Sequence, residues 1–127
     1  MKPISALPHG FLDYTVGLLL LVSPWLFGFE NISVNATYTM VGMGIVVLGL
    51  SLITNYPLGL IKAVSFPVHG KIETASAVVL LASPWLLHFN DVNVARNLAV
   101  IAAIAWLGVV SLTNYSTYTS TSMRHIH

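Results

Sequence analysis

The chain has no cysteine in its 127 residues. Disulfides, thiolate metal centres and cysteine nucleophiles are thereby excluded. Charge is almost as scarce: five Lys and Arg with four Asp and Glu make up 7% of the chain, against about a quarter in an ordinary soluble domain. A water-facing surface cannot be built from so few. The net charge of +1 leaves no clustered basic face of the kind nucleic acid requires. No Ser-His-Asp arrangement, Walker loop, Rossmann glycine pattern or HExxH occurs, so no catalytic residue is assigned and no enzyme is expected. A cleavable leader is not expected either, because Lys2 precedes the first apolar run but no small-x-small site follows it.

Apolar residues fill the space that charge leaves. They make up 56% of the chain, gathered in stretches at about 11–29, 36–55, 70–89 and 94–114. Each is near the ~20 residues that cross a bilayer as a helix. None alternates as a membrane strand would, and a helix bonds all its backbone groups within one segment. The expectation is an all-α integral membrane protein, a single domain over 1–127 with four transmembrane helices.

Two connections, "GFENISVNA" and "HFNDVNVA", are short, polar and rich in Asn, as hairpin loops are. The middle connection, 57–68, is longer and partly apolar. Leu58, Ile61, Lys62 and Ser65 stand at helical spacing there, which predicts a short helix lying in the interface. The tail at 116–127 is polar and carries His125 and His127, read as solvated. Lys2, Lys62, Lys71 and Arg124 fall on one side of a four-helix arrangement, and Arg96 falls on the other. The positive-inside tendency then places both termini in the cytoplasm and the Asn-rich hairpins, with Glu30 and Asp91, outside.

The halves repeat. "HGFLDYTVGLLLLVSPWLFGF" aligns with "HGKIETASAVVLLASPWLLHF" at an offset of sixty, and "TNY" at 54–56 aligns with "TNY" at 113–115 at an offset of fifty-nine. The repeating unit is a two-helix hairpin, at about 9–56 and again at about 69–115. An even number of helices returns the chain to its starting side. Both copies should therefore face the same way, about a pseudo-two-fold axis along the membrane normal.

Ser23-Pro24-Trp25 and Ser83-Pro84-Trp85 sit at matched positions near the end of the first helix of each unit. In this the chain resembles the SPW-repeat family of small bacterial membrane proteins, over nearly its whole length from His9 to Tyr115. The resemblance implies an inner-membrane location and a multi-pass topology, and it carries over no activity. In such a protein the glycosylation-like triplets at 31–33 and 35–37 are accidental.

The motif has a physical reading. Each proline removes the helical donor of the carbonyl four residues back, Leu20 or Leu80. The preceding serine can bond back to a carbonyl one turn earlier, and Trp25 and Trp85 suit the outer boundary. The structural version is an anchored, kinked helix end. The functional version is an exposed carbonyl and serine lining a polar pocket.

A second constellation is His9-x-x-x-Asp13, repeated as His69-x-x-x-Glu73. A spacing of four puts imidazole and carboxylate on one helix face. The plainer reading makes Gly10 and Gly70 helix entries and puts both acids in the first turn, facing the helix dipole at the interface. The alternatives are a proton or ion site and a zinc, iron or manganese ligand set. A haem held by His9 and His69 is a weaker option, and His88, matched by Gly28, reads as a loop-proximal interfacial histidine rather than a symmetric haem ligand. Small residues suggest close packing: the Ala95, Ala99, Ala103 row with Gly108, then Gly42 and Gly49, then Ala75, Ala77 and Ala82. The function expected is structural or accessory, in a homo-oligomer or a larger membrane complex. The rivals are a small carrier of protons, ions or solute using His9, Asp13, His69 and Glu73, and a haem- or quinone-binding redox subunit.

Overall fold

A computed structural model describes residues 2–115. Arg124, His125, His127 and the polar tail lie outside the described residues. Four helices follow one another: α1 Ala6–Leu26, α2 Val34–Leu52, α3 Phe66–Leu86 and α4 Asn93–Leu112. Each begins earlier than the apolar runs suggest, because polar letters such as His9 and His69 turn out to lie inside helices. Ser33 caps α2 by accepting from Ala36 N at 3.1 Å. Ser65 does the same for α3 through Val68 N at 3.4 Å, with proline in the first turn, where its missing N–H costs nothing.

The distribution of side chains is inverted relative to a soluble bundle. His9, Asp13, His69 and Glu73 are buried, whereas Leu18, Trp25, Ile45, Val79, Trp85 and Ile101 are more than half exposed. Exposed apolar faces around a buried polar group suit lipid, not water. By length and hydropathy α1, α2 and α4 can each cross a membrane. The 21 residues of α1 reach about 31 Å at 1.5 Å per residue, about the hydrocarbon thickness. Membrane residence therefore follows from composition and exposure together.

The core is mostly apolar: Leu20, Phe29, Met40, Val47, Ala77, Leu80, Phe89, Ala99, Ala103 and Trp106 pack together. Helix α1 packs chiefly on α2, and α3 on α4. The first pair packs backbone to backbone at Gly44, where an added Cβ would lie 2.8 Å from the Gly17 carbonyl oxygen. Gly42 and Gly49 meet nothing within 4 Å and Ala75 is exposed, so those small residues are not packing positions. Ala95, Ala99 and Ala103 are buried, as a close-packed row should be.

The middle connection is not a helix. Thr54–Asn55 pairs in parallel with Val64–Ser65 as β1 and β2. The Leu52 carbonyl accepts from Leu60 N and Ile61 N, both at 2.9 Å, and the Ile53 carbonyl from Ala63 N and Val64 N at 3.0 and 2.8 Å. These bonds satisfy carbonyls that the end of α2 leaves open, and they use the N–H groups a helix at 57–68 would need. Lys62 Nζ donates to the Tyr56 carbonyl at 2.7 Å, and Tyr14 Oη donates to the Leu58 carbonyl at 2.8 Å. A matching parallel bridge joins Ile4 to Thr113, with Ile4 N on the Leu112 carbonyl at 3.0 Å and Asn114 N on the Ile4 carbonyl at 2.8 Å. The starts of α1 and α3 and the ends of α2 and α4 thus meet at one end of the bundle.

Candidate functional site

At that shared end four side chains converge. His9 and Asp13 come from α1, His69 and Glu73 from α3, and the contacts cross between the helices. His9 Nε2 lies 2.6 Å from Glu73 Oε1, and His69 Nε2 lies 2.8 Å from Asp13 Oδ2. The same-helix distances are longer, 3.3 Å for His9 to Asp13 and 3.1 Å for His69 to Glu73. Cross-helix pairing therefore dominates over pairing within a helix.

The first-turn reading of the two acids is overturned. Neither α1 nor α3 has an acid in its first turn, because each helix starts four residues before Gly10 or Gly70. Asp13 and Glu73 are each about 10 Å along their helices at 1.5 Å per residue, and both are almost fully buried. Gly10 and Gly70 are not helix entries. Gly10 makes room for Leu58 and the Tyr56 ring, and Gly70 for the Tyr115 ring.

The second ring nitrogens are held by residues the sequence reading left without a role. His9 Nδ1 is 2.8 Å from Thr113 Oγ1, and His69 Nδ1 is 2.6 Å from Thr54 Oγ1. Each threonine hydroxyl donates its one hydrogen to its own helix, Thr113 to the Val109 carbonyl and Thr54 to the Leu50 carbonyl, both at 2.6 Å. Each Oγ1 is therefore the acceptor toward the ring, and Nδ1 must carry a hydrogen on both histidines. Both Nε2 atoms then face the carboxylates. Tyr56 Oη donates to Asp13 Oδ2 at 3.2 Å, and Glu73 Oε2 is buried without a hydrogen-bond partner. The signal for these threonines was the identical "TNY" at 54–56 and 113–115.

An aromatic cover lies over the cluster. Phe66 packs on Tyr115 with ring centroids 4.6 Å apart and on His9 at 5.3 Å, and Tyr56 packs on His69 at 5.2 Å. Burial holds the Tyr56 and Tyr115 phenols well above the usual tyrosine range. A haem between His9 and His69 does not fit this geometry. Their ring centroids are 5.5 Å apart, and Asp13 and Glu73 oxygens fill the space a porphyrin would need. The four residues could hold one metal ion, since one ligand atom from each lies within 4.8 Å of the others.

The Ser-Pro-Trp segments sit at the other end. Pro24 frees the Leu20 carbonyl, and Ser23 Oγ donates to that same oxygen at 2.8 Å. Ser83 Oγ serves the Leu80 carbonyl at 2.7 Å. Both serines and both leucines are buried, so the exposed-carbonyl pocket is overturned: the serine replaces the donor that its proline removes. Trp25 and Trp85 point outward, more than half exposed. Two residues further on, Phe27 and Leu87 close the helices, and Gly28 and His88 take left-handed backbone at φ 73° and 59°. Phe29 N and Phe89 N then bond back to the Pro24 and Pro84 carbonyls, both at 2.8 Å. This is the Schellman arrangement, with each phenylalanine ring buried in the core.

Both copies of Ser-Pro-Trp thus lie in the last turns of a helix, and the SPW repeat domain matches residues 7–113. The chain belongs to the SPW repeat family. Searches of curated proteins and of solved structures returned no match. In this SPW repeat protein, then, the named tripeptide ends a helix, and the buried His, Asp and Glu side chains are gathered at the opposite end. His88 belongs to the helix-ending motif, where it occupies the position that glycine holds in the first SPW repeat.

Proposed function

We propose that this is a non-enzymatic structural or accessory membrane protein of four transmembrane helices. Its two hairpins face the same way about a pseudo-two-fold axis along the membrane normal, and α3 spans like α1, which it equals in length. Support for the symmetry comes from paired contacts: Ile4 with Thr113 and Val64 with Thr54, His9 with Glu73 and His69 with Asp13. Lys2, Lys62 and Lys71 flank the cluster end, Arg96 the other. The positive-inside tendency favours an inner-membrane protein with the cluster and both termini toward the cytoplasm.

The observation that carries the reading is the lack of a polar path leading away from the cluster among the described residues. Among the described residues, the core beyond the cluster is apolar, and the hydroxyls of Ser23, Ser51 and Ser83 are each spent on a carbonyl of their own helix. A carrier of protons or solute would need a relay from the cluster toward the tryptophan end. The cluster instead cross-ties α1 to α3 and joins each to the segment following α4 or α2. What faces outward is apolar helix surface, suited to a second copy or a larger membrane complex as well as to lipid.

Recovery of a stoichiometric membrane partner, or of a stable homo-oligomer without transport, is the expected result of purification in a mild native detergent. Proton uptake by liposomes containing the protein, abolished in the Asp13→Asn and Glu73→Gln double variant, would overturn it in favour of the carrier. Orientation is tested directly because the chain has no cysteine. Single cysteines at Lys2 and Glu30 should react with an impermeant thiol reagent from the cytoplasmic and outer sides respectively.

A further inference from the structure

We propose that His9, Asp13, His69 and Glu73 bind one divalent first-row transition-metal ion, of the zinc, iron or manganese class. This goes beyond the accessory role and stands whether or not the protein serves a larger complex. Three observations carry it. First, the ligand atoms converge, all four within 4.8 Å of one another, so a small adjustment brings each to about 2.0–2.2 Å from a common centre, as ligation requires. The 3.1 and 3.3 Å same-helix separations already match the edges of such a polyhedron. The 2.6 and 2.8 Å cross-helix separations must open by about 0.5–1 Å to reach a tetrahedral edge at those bond lengths.

Second, both imidazoles are set for ligation from behind. Thr113 and Thr54 give their hydrogens to the Val109 and Leu50 carbonyls and can only accept from Nδ1. With its hydrogen on Nδ1, each ring presents the Nε2 lone pair to the centre once an ion displaces the proton that Nε2 shares with the facing carboxylate. An outer partner that holds the distal N–H is the usual support of a metal-bound histidine.

Third, Glu73 Oε2 is fully buried and has no hydrogen-bond partner, an expensive state for a carboxylate oxygen. A divalent ion would engage that carboxylate and cancel the two negative charges of Asp13 and Glu73 in a low-dielectric interior. Two nitrogen and two oxygen donors without thiolate suit zinc, iron or manganese over softer ions.

The test uses the full chain in mild detergent, stripped with chelator, re-equilibrated with Zn(II), Mn(II) or Fe(II) in turn, and desalted. The expected result is one ion per chain for at least one metal. X-ray absorption of that sample should show two imidazoles and oxygen ligands, with no sulfur. The His125→Ala and His127→Ala tail variant should retain the ion, and the Asp13→Asn and Glu73→Gln variant should lose it while remaining helical by circular dichroism. Should the latter variant unfold, the two-imidazole signature of the wild type decides. Folded wild type that retains less than stoichiometric metal in every case overturns the proposal. So does stoichiometric metal that vanishes with the tail histidines or lacks the two-imidazole signature.

Discussion

His88 and Gly28 do the same work at unequal cost. A left-handed residue that carries a Cβ is about 1–2 kcal/mol worse than glycine, and His88 is held at φ 59°. His88→Gly should stabilise the folded bundle by about 1 kcal/mol in detergent unfolding, and Gly28→Ala should weaken it by a similar amount. Ser23→Ala has a different origin. It strips the hydroxyl donor from the buried Leu20 carbonyl, and should cost about 1–3 kcal/mol in the same measurement. The motif letters were legible as helix-ending chemistry because proline and serine act on their own helix. The handedness at position 88 was not, because nothing in a histidine announces positive φ.

At the scale of the element, close packing is decided by one glycine. A Cβ at Gly44 would meet backbone atoms of α1, the Gly17 oxygen and the Leu21 nitrogen, both at 2.8 Å, and backbone cannot rotate away as a side chain can. Gly44→Val should separate α1 from α2 and cost about 1–3 kcal/mol. Gly42→Ala and Gly49→Ala, which face open space inside α2, should not lower thermal stability and should raise it by up to about 1 kcal/mol. Helix existence was readable from run length, but helix starts were not, because His9 and His69 look like interface residues until the partner helix is in place. The connector at 57–68 misled for a related reason. Its helical spacing is real, yet its N–H groups are taken by the last carbonyls of α2, a long-range demand that local periodicity does not register.

For the molecule as a whole, the cluster end governs tolerance to alkali. Burial raises the Tyr56 and Tyr115 phenols, so the folded state keeps them neutral where the unfolded chain ionises them near pH 10. Their contribution to stability is complete below that pH and is lost as pH rises through the unfolded value toward the folded ones. Detergent-solubilised protein should therefore unfold cooperatively above about pH 10, and a Tyr56→Phe, Tyr115→Phe variant should show a shallower alkaline loss by circular dichroism. That four ionisable residues could assemble was legible from their matched spacing in two repeats. That they pair across helices, with threonines behind them, was not, since it depends on how the two hairpins face each other.

The Ile4–Thr113 bridge has a consequence for gene architecture. It brings the first and last described segments into the same parallel contact that the 57–63 connector maintains between Thr54 and Val64. A circularly permuted chain, opened within 57–63 and rejoined from Tyr115 to Ile4 by a copy of that connector, should insert and fold to the same bundle. Which hairpin is translated first would then be an accident of ancestry, with no bearing on the finished object.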